Sequence, residues 1–396
     1  LSLKVVSRAL HCLSFNIFIL TMVSDGLPKI FQCLQIINDV VHQKPYSIIA
    51  HGTFWTLIMF TYPFLSMGIL LISVARLIIY CAGFEKKVDT SQNSLAVVIT
   101  GCDSGFGHLA ALNCHAKGYY VFAGCLKEES IAFLNSSCEQ RMIPVLLDVC
   151  NQEHVEELIE NVSQWIEEGI ETKSKEEKPR YLHALVNNAG RGTPGLVDWV
   201  NLDDYRSDME VNLFGQIRLV KACLPILMYQ NYAHARIINM VSCAGLVPNE
   251  FMSSYVASKF AAEGFSQCLR LELRNFGIRV VTMNPTFHET PMTTSTKERV
   301  MQMWDQLPSK TQVMYGKDFL VSAVVEKLKH LPKIMWKADN VIQDMISAID
   351  MVHPPIRILT GIDSKFFHTI MRMLPEWISE LCTPRFPQPP NFMKNK

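Results

Sequence analysis

From residue 94 onward, seven short apolar runs alternate with stretches of helical spacing, and this alternation restricts the fold more than any other feature of the chain. The runs are Leu95 to Thr100, Tyr119 to Gly124, Met142 to Val149, Leu182 to Asn187, Arg236 to Ser242, Ile278 to Asn284 and Ile356 to Thr360. Most are continuously apolar, as strands covered on both faces of a parallel sheet must be. Strands that alternate with helices build βαβ units, whose crossovers put helices on both faces. The expectation is an α/β domain over residues 91–363 with a single doubly wound parallel sheet of about seven strands.

At 396 residues the chain has room for such a domain and an appendage. Cationic and anionic side chains balance at 37 each with no long basic stripe, which removes the electrostatic footprint of a nucleic-acid binder. Twelve cysteines fall at irregular intervals without a C-x-x-C pair, so reduced thiols are expected, with neither a disulfide framework nor a metal site. Residues 1–90 read as an anchoring or targeting region. Within it, Phe54 to Ala75 carry no charge over 22 positions, enough to cross a hydrocarbon core. A transmembrane helix over about 54–80 is expected, interrupted at Pro63; a buried core helix is the plainer alternative. Arg76, Lys86 and Lys87 follow it and only Lys44 lies close before it, which puts the larger domain on the cytoplasmic side. An earlier apolar stretch, Cys12 to Val23 behind Lys4 and Arg8, suits a signal anchor, a second membrane helix or an organelle presequence.

Three further stretches depart from the alternation. Glu171 to Arg180 is densely charged and reads as a solvated surface insertion. From Thr286 to about His353, helices rich in Met and Trp are expected. In the tail, 364–396, Phe366 to Cys382 carry few charges and suit contact with a membrane, with a pocket or with another subunit.

The first strand ends in TGCDSGFG, Thr100 to Gly107, with Gly101, Gly105 and Gly107 just before a helical stretch. Glycines there let backbone turn tightly and approach a pyrophosphate, and a helix N-terminus offers unpaired N–H groups to the phosphates. A glycine cluster alone is weak, and its place between a buried strand and a helix strengthens it. Tyr255-Val256-Ala257-Ser258-Lys259 lies in a helical pattern running to about Asn275. Four residues make about one turn, so both side chains share a face, and a nearby ammonium lowers a phenol toward working pH. So short a pattern also arises by accident on ordinary surface helices. Ser242 ends the fifth strand thirteen residues earlier, where a loop could bring its hydroxyl to the same substrate oxygen. Asn212 is a polar residue within the helical stretch Asp203 to Tyr229. A strand-end Ser in a turn and a mid-helix Asn bonded to backbone are the plain alternatives, but the joint order behind the glycine loop favours a site.

TGCDSGFG, Asn187-Asn188-Ala189-Gly190, Asn212, Ser242 and Tyr255-x-x-x-Lys259 together resemble the short-chain dehydrogenase/reductase superfamily over residues 94–363, and with it a Rossmann-type sheet. With VFAGCL, Val121 to Leu126, the chain is similar to the branch of retinol dehydrogenases, type 2 hydroxysteroid dehydrogenases and mitochondrial 3-hydroxybutyrate dehydrogenase. The resemblance implies an NAD(P)-dependent oxidoreductase that interconverts an alcohol and a carbonyl. By matching position, Tyr255 would exchange the proton with the substrate oxygen, and Lys259 would lower its pKa and bind the nicotinamide ribose. Ser242 would hold the substrate oxygen and Asn212 would support a water-linked proton relay. Cofactor contacts are implied at Thr100, Gly101, Ser104, Gly105, Phe106 and Gly107, at Asp148 near the adenine, and at Asn188, Ala189 and Gly190. Tyr255, Lys259, Pro285 and Thr290 complete the set, with Thr290 on the carboxamide; the cofactor carries the hydride chemistry and the protein orients it.

Two departures from the family pattern stand out. Asn284-Pro285-Thr286 replaces its usual P-G after the sixth strand. Gly124, Cys125 and Leu126, at the end of the second strand, offer neither the carboxylate that binds the ribose of NAD nor an arginine for NADP. NAD is expected, with Lys127 leaving NADP open. Met292, Met301, Met303, Trp304 and Phe319 suit an apolar pocket for a steroid, a retinoid or another lipophilic alcohol, ketone or aldehyde, and equally suit packing between helices. With the membrane segment, this makes an endoplasmic-reticulum membrane enzyme with a cytoplasmic-facing domain the first expectation, and a homo-oligomer is implied by the resemblance. The alternative is a mitochondrial 3-hydroxybutyrate dehydrogenase-like enzyme, whose anionic substrate would need a cation such as Lys297, Arg299 or His288. A second alternative is a non-catalytic nucleotide-binding membrane protein.

Overall fold

The apolar runs fold as seven strands, with helices removing both faces of the inner ones from water and the two edge strands only partly buried. The seven are β1 (Ser94–Thr100), β2 (Tyr120–Cys125), β3 (Met142–Leu146), β4 (Arg180–Asn187), β5 (Arg236–Met240), β6 (Arg279–Pro285) and β7 (Arg357–Thr360). The sheet runs β3-β2-β1-β4-β5-β6-β7, and every neighbouring pair is parallel. This is a computed structural model; it describes residues 86–89, 94–138, 140–171, 178–325, 335–361 and 364–382, all within the unit Phe84–Lys396. The expected membrane helix at 54–80 and the apolar stretch Cys12 to Val23 lie outside the described residues, as do 172–177 of the charged insertion and 383–396 of the tail.

The helices that matter for the site are α1 (Gly105–Ala116), α2 (Glu128–Ser137), α3 (Gln152–Glu171), α4 (Leu202–Met209), α5 (Gln216–Tyr229) and α6 (Ser253–Leu273). After β6 come α7 (Pro291–Thr294), α8 (Thr296–Gln306), α9 (Ser309–Tyr315) and α10 (Asp339–Asp350). Successive strand residues point to opposite faces. Val97 and Ile99 accordingly pack with Ala110, Ala111 and Cys114 of α1 and with Val341, Met345 and Ile349 of α10. Ala96 and Val98 pack on the other face, with Val155, Leu158 and Val162 of α3, Leu219 and Cys223 of α5, and Leu269 of α6.

Strand limits lie close to those expected, with β3 the main difference. It stops at Leu146 and not at Val149 because Asp148 closes a turn: its amide meets His154 Nδ1 at 3.1 Å and its carboxylate accepts the Cys150 amide at 2.9 Å. The stretch Asp203 to Tyr229 is helical, but a π-helical segment, Glu210–Gly215, separates α4 from α5. Residues 202–229 form the one helical run among the described residues long and apolar enough to cross a membrane. Leu219, Val220, Cys223 and Leu227 bury its inner face against the sheet, so it is a core helix.

Arg236 is a fully buried cation at the start of β5. Its Nη1 donates to the carbonyls of Ala348, Ile349 and Met351 at 2.8, 2.8 and 2.6 Å, which satisfies the open C-terminal end of α10. Apart from the two cores that cover the sheet, Trp199, Val300, Trp304, Leu307, Phe319 and Leu320 form a small separate core. Trp304 and Phe319 thus pack helices.

Candidate active site

Sequence order along the sheet reverses between β1 and β4, and in open α/β sheets the crevice beyond the strand ends at such a point binds ligands. Two loops meet there. Gly101 and Gly105 adopt left-handed φ values of 70° and 60°, which only glycine takes without strain. A Cβ on Gly107 would lie 2.2 Å from the Gly101 carbonyl oxygen, and one on Gly101 would lie 2.9 Å from Ala189 Cα. The loop after β4 locks onto the first: Asn188 and Ala189 amides donate to Thr100 Oγ1 at 3.0 and 2.8 Å, and Asn188 Nδ2 donates to the Thr100 carbonyl at 2.9 Å.

A cleft of about 510 Å³ opens over these loops. Of the expected residues, Gly101, Ser104, Gly105, Phe106, Asp148, Asn188, Ala189, Gly190, Tyr255, Lys259, Pro285 and Thr290 line it. Thr100, Gly107, Asn212 and Ser242 are buried and are not part of its lining. Close-packed glycines along a narrow cleft at a helix N-terminus fit a dinucleotide, whose phosphates need that backbone approach. Thr290 closes a capping box with Thr293 at the start of α7, which fixes the rim next to Pro285.

Tyr255 and Lys259 share the inner face of α6, as their spacing predicts, and Lys259 Nζ lies 5.7 Å from the Tyr255 ring centroid. Lys259 Nζ donates to the Met240 carbonyl at 3.0 Å, so the ammonium is held at the end of β5. Ser242 Oγ accepts from the Ala244 amide at 3.1 Å and donates to the Pro285 carbonyl at 3.5 Å. The electrostatics differ from the simple expectation of a lysine-lowered phenol. Burial pushes Tyr255 up to about 12 against the opposing Ser242 hydrogen bond, and burial pushes Lys259 down to about 8 against the attraction of Asp208. Both groups lose water, and desolvation disfavours either charge.

Asn212 sits in the π-helical segment, fully buried. Its Nδ2 donates to the Arg191 carbonyl and to Ser258 Oγ, both at 2.8 Å, and its Oδ1 accepts from the Arg191 amide at 2.9 Å. The side chain therefore ties the loop after β4 to α6 directly behind Tyr255.

Sequence reading missed two parts of this wall, Asp208 and Gly192, and considered a third, Arg299, only as a cation for an anionic substrate. Asp208, fully buried, accepts from the Thr193 amide at 3.0 Å and Ser254 Oγ at 2.8 Å, and pairs with Arg191 Nε at 2.9 Å. Gly192 leaves no room for a side chain, because a Cβ there would lie 2.7 Å from Tyr255 Cδ2. Arg299 on α8 donates to the Gly192 carbonyl at 2.5 Å and the Met292 carbonyl at 2.7 Å, which straps α7 to the loop beside Tyr255. The only advance signal was the glycine at 192; the partners of Asp208 and Arg299 lie too far along the chain for any periodicity to reveal.

The model of the short chain dehydrogenase family matches residues 95–300. Human 17-beta-hydroxysteroid dehydrogenase type 6 is 33% identical over 309 residues, covering 77% of this chain and 93% of that protein. Rat retinol dehydrogenase 16 is 33% identical over 74% of this chain and 89% of its own length. Rat mitochondrial D-beta-hydroxybutyrate dehydrogenase is 32% identical over 71% and 83%. Among solved structures, a short chain dehydrogenase/reductase from Burkholderia phymatum in complex with NAD superposes with a TM-score of 0.58 at 24% identity, covering 76% of this chain and 99% of that one. With fold, cleft and relatives in agreement, the chain belongs to the short-chain dehydrogenase family. It is an NAD(P)-dependent dehydrogenase acting on CH–OH groups.

Proposed function

We propose that this enzyme interconverts an alcohol and a carbonyl on a lipophilic substrate of steroid or retinoid type, with Tyr255 as its acid/base residue and NAD as its preferred cofactor. One observation carries the reading: Tyr255 and Lys259 line the same cleft as the glycine loop Gly101 to Phe106. Gly101, Ser104, Gly105, Phe106, Asp148, Asn188, Ala189, Gly190, Lys259, Pro285 and Thr290 would hold the dinucleotide, with Thr100 and Gly107 shaping the loop. When bound, the nicotinamide supplies or accepts the hydride.

The chain's own residues handle the proton. In carbonyl reduction the Tyr255 hydroxyl donates its proton to the substrate oxygen, and in alcohol oxidation the tyrosinate takes it back. Ser242, already oriented by the Ala244 amide, donates to that same oxygen and holds it beside Tyr255. The Lys259 ammonium, 5.7 Å from the Tyr255 ring centroid, would favour the tyrosinate when it forms. Asn212 serves the relay by fixing the backbone at Arg191 and the side chain of Ser258.

The lining argues for an uncharged substrate. Lys297, Arg299 and His288, the candidates for a carboxylate receptor, do not line the cleft. Arg191, which does, is paired with Asp204 and Asp208. Of the five residues considered for an apolar pocket, Met292 lines the cleft, next to Pro291, Met240 and Val211. Membrane attachment through residues 1–90 would suit a bilayer-dissolved substrate, and exposed Ile370, Met373 and Trp377 after β7 add apolar surface outside the core. A panel of steroids, retinol and 3-hydroxybutyrate on detergent-solubilised protein tests the reading. Turnover of a steroid or retinol is expected to exceed that of 3-hydroxybutyrate; the reverse order would replace the substrate class. Binding of NADH with no turnover of any substrate would favour a nucleotide-binding protein.

A further inference from the structure

We infer that Asp208 is a positioning residue for the proton transfer: its buried carboxylate fastens the segment Arg191 to Thr193 to the start of α6 and so fixes the slot in which the Tyr255 ring meets the substrate oxygen. The inference rests on the reading of Tyr255 as the acid/base residue. Asp208 stands on α4, four residues before Asn212, and is fully buried. It does not line the cleft, so it works through its partners. A carboxylate in so dry a place is costly unless it is paired and hydrogen-bonded.

Four donors converge on it. Oδ1 accepts from Thr193 Oγ1 at 3.2 Å and pairs with Arg191 Nε at 2.9 Å, and Oδ2 accepts from the Thr193 amide at 3.0 Å and from Ser254 Oγ at 2.8 Å. Arg191 and Thr193 flank Gly192, where a Cβ would lie 2.7 Å from Tyr255 Cδ2. Ser254 directly precedes Tyr255 on α6. One side chain thus holds both neighbours of the glycine that faces the ring, and the residue before the ring itself. Asn212 braces the same segment through the Arg191 backbone but reaches α6 one turn later, at Ser258. No neutral isostere replaces the carboxylate. In either orientation an asparagine would set its NH2 against an N–H that cannot turn away, that of Arg191 or that of Thr193.

The charge matters as well as the shape. Arg191 pairs with Asp208 from the loop after β4 and has Asp204 as a second partner; Arg299 on α8 and Lys259 on α6 also feel the attraction of Asp208. Burial pushes Lys259 down to about 8, and Asp208 opposes that fall. Burial pushes Tyr255 up to about 12, and the charge of Asp208 adds to the rise, as does Cys243 beside Ser242. Loss of the charge should therefore release the Lys259 proton at lower pH, and the guanidiniums of Arg191 and Arg299 then push the same way. The same loss eases ionisation of Tyr255. A fall in oxidative rate while Lys259 is still charged therefore reports misplacement of the phenol and not a weaker acid.

The test uses the full chain with NAD and the fastest of three substrates, retinol, a hydroxysteroid or 3-hydroxybutyrate, in wild type, D208N, S254A, the double variant and Y255F. Oxidation needs the tyrosinate that the ammonium favours, so the rise in rate with pH bends where Lys259 discharges. In D208N, oxidative kcat read below that bend is expected to fall about ten- to a hundredfold, while NADH affinity by fluorescence stays within about threefold. The bend itself should move to lower pH. S254A cuts the link to α6 and keeps the carboxylate; it should lower kcat less, leave the bend in place and cost little more when added to D208N. A folded D208N with the wild-type kcat, or with the wild-type bend, overturns the inference. So does a D208N that loses NADH binding as much as kcat, because Asp208 would then hold the cofactor wall. Should D208N fail to fold, S254A decides, and a wild-type kcat in it overturns the inference. Y255F separates the two readings: full activity there removes the acid/base assignment, whereas an inactive Y255F beside a normal D208N removes only the role of Asp208.

Discussion

The cleft has two walls made in different ways. On the β1–β3 side, position is set by backbone: left-handed glycines at 101 and 105, a Gly107 with no space for a Cβ, and a carboxylate bonded to amides at the end of β2. On the β4–β6 side it is set by side chains from distant segments. Asn212, Asp208 and Arg299 reach the loop at Arg191 to Thr193 from three helical elements and press Gly192 against the Tyr255 ring. The first wall suits a ligand shared by a whole family, since backbone offers little to vary. The second suits chemistry and substrate choice, where side chains can change one by one.

The comparison can be broken most sharply at Tyr255. Y255F keeps the ring against Gly192 and removes the transferable proton, so turnover should fall on the order of a thousandfold while NADH affinity, measured by fluorescence, stays within a few-fold. An unchanged turnover would remove Tyr255 from the acid/base role. K259M should cost about a hundredfold at neutral pH, since an opposite charge nearby moves a pKa by about one to three units.

The pH profile tests the same pair. Oxidation needs the tyrosinate, and with the phenol near 12 the charged fraction grows with every step up in pH below that value. Oxidative kcat/KM should therefore climb from neutral pH upward. Lys259 loses its charge through about 8, which should bend the climb over, and K259M should remove the bend. Reduction, which needs the neutral phenol, should not rise with pH.

G107A tests the backbone wall. The new Cβ meets a carbonyl that cannot rotate away, so NADH should bind about ten- to a hundredfold more weakly, with kcat at saturating cofactor much less affected. R299A is expected to be the mildest: loss of two charged hydrogen bonds loosens α7, raising KM for the substrate by less than about tenfold, with R299K recovering part of it. Should R299A lower kcat as much as Y255F, Arg299 would act on the chemistry and not on the rim alone.

Legibility followed the range of the interactions involved. Strands from β1 to β7 were readable because each is a short apolar run, buried in the inner strands and partly buried in β3 and β7. The Tyr255–Lys259 pair was readable because one helical turn fixes their common face. The early end of β3 was not, since it depends on His154 and Cys150 capturing Asp148. The π-helical segment was not either; its extra residue per turn shows only once Asn212 meets Arg191 and Ser258, residues 21 and 46 positions away. Trp304 and Phe319 carried an ambiguous signal, because an apolar side chain looks the same in sequence whether it lines a pocket or fills a core.

By itself the sequence determined a doubly wound parallel sheet, a glycine loop between the first strand and its helix, and a Tyr–Lys pair on one helix face, because burial periodicity, backbone freedom and helical spacing are local properties. Only the tertiary structure decided where Asp103 binds, which side chains brace Tyr255, and that burial pushes the phenol's acidity down. Those outcomes depend on which distant groups share a site and on how much water is left between them.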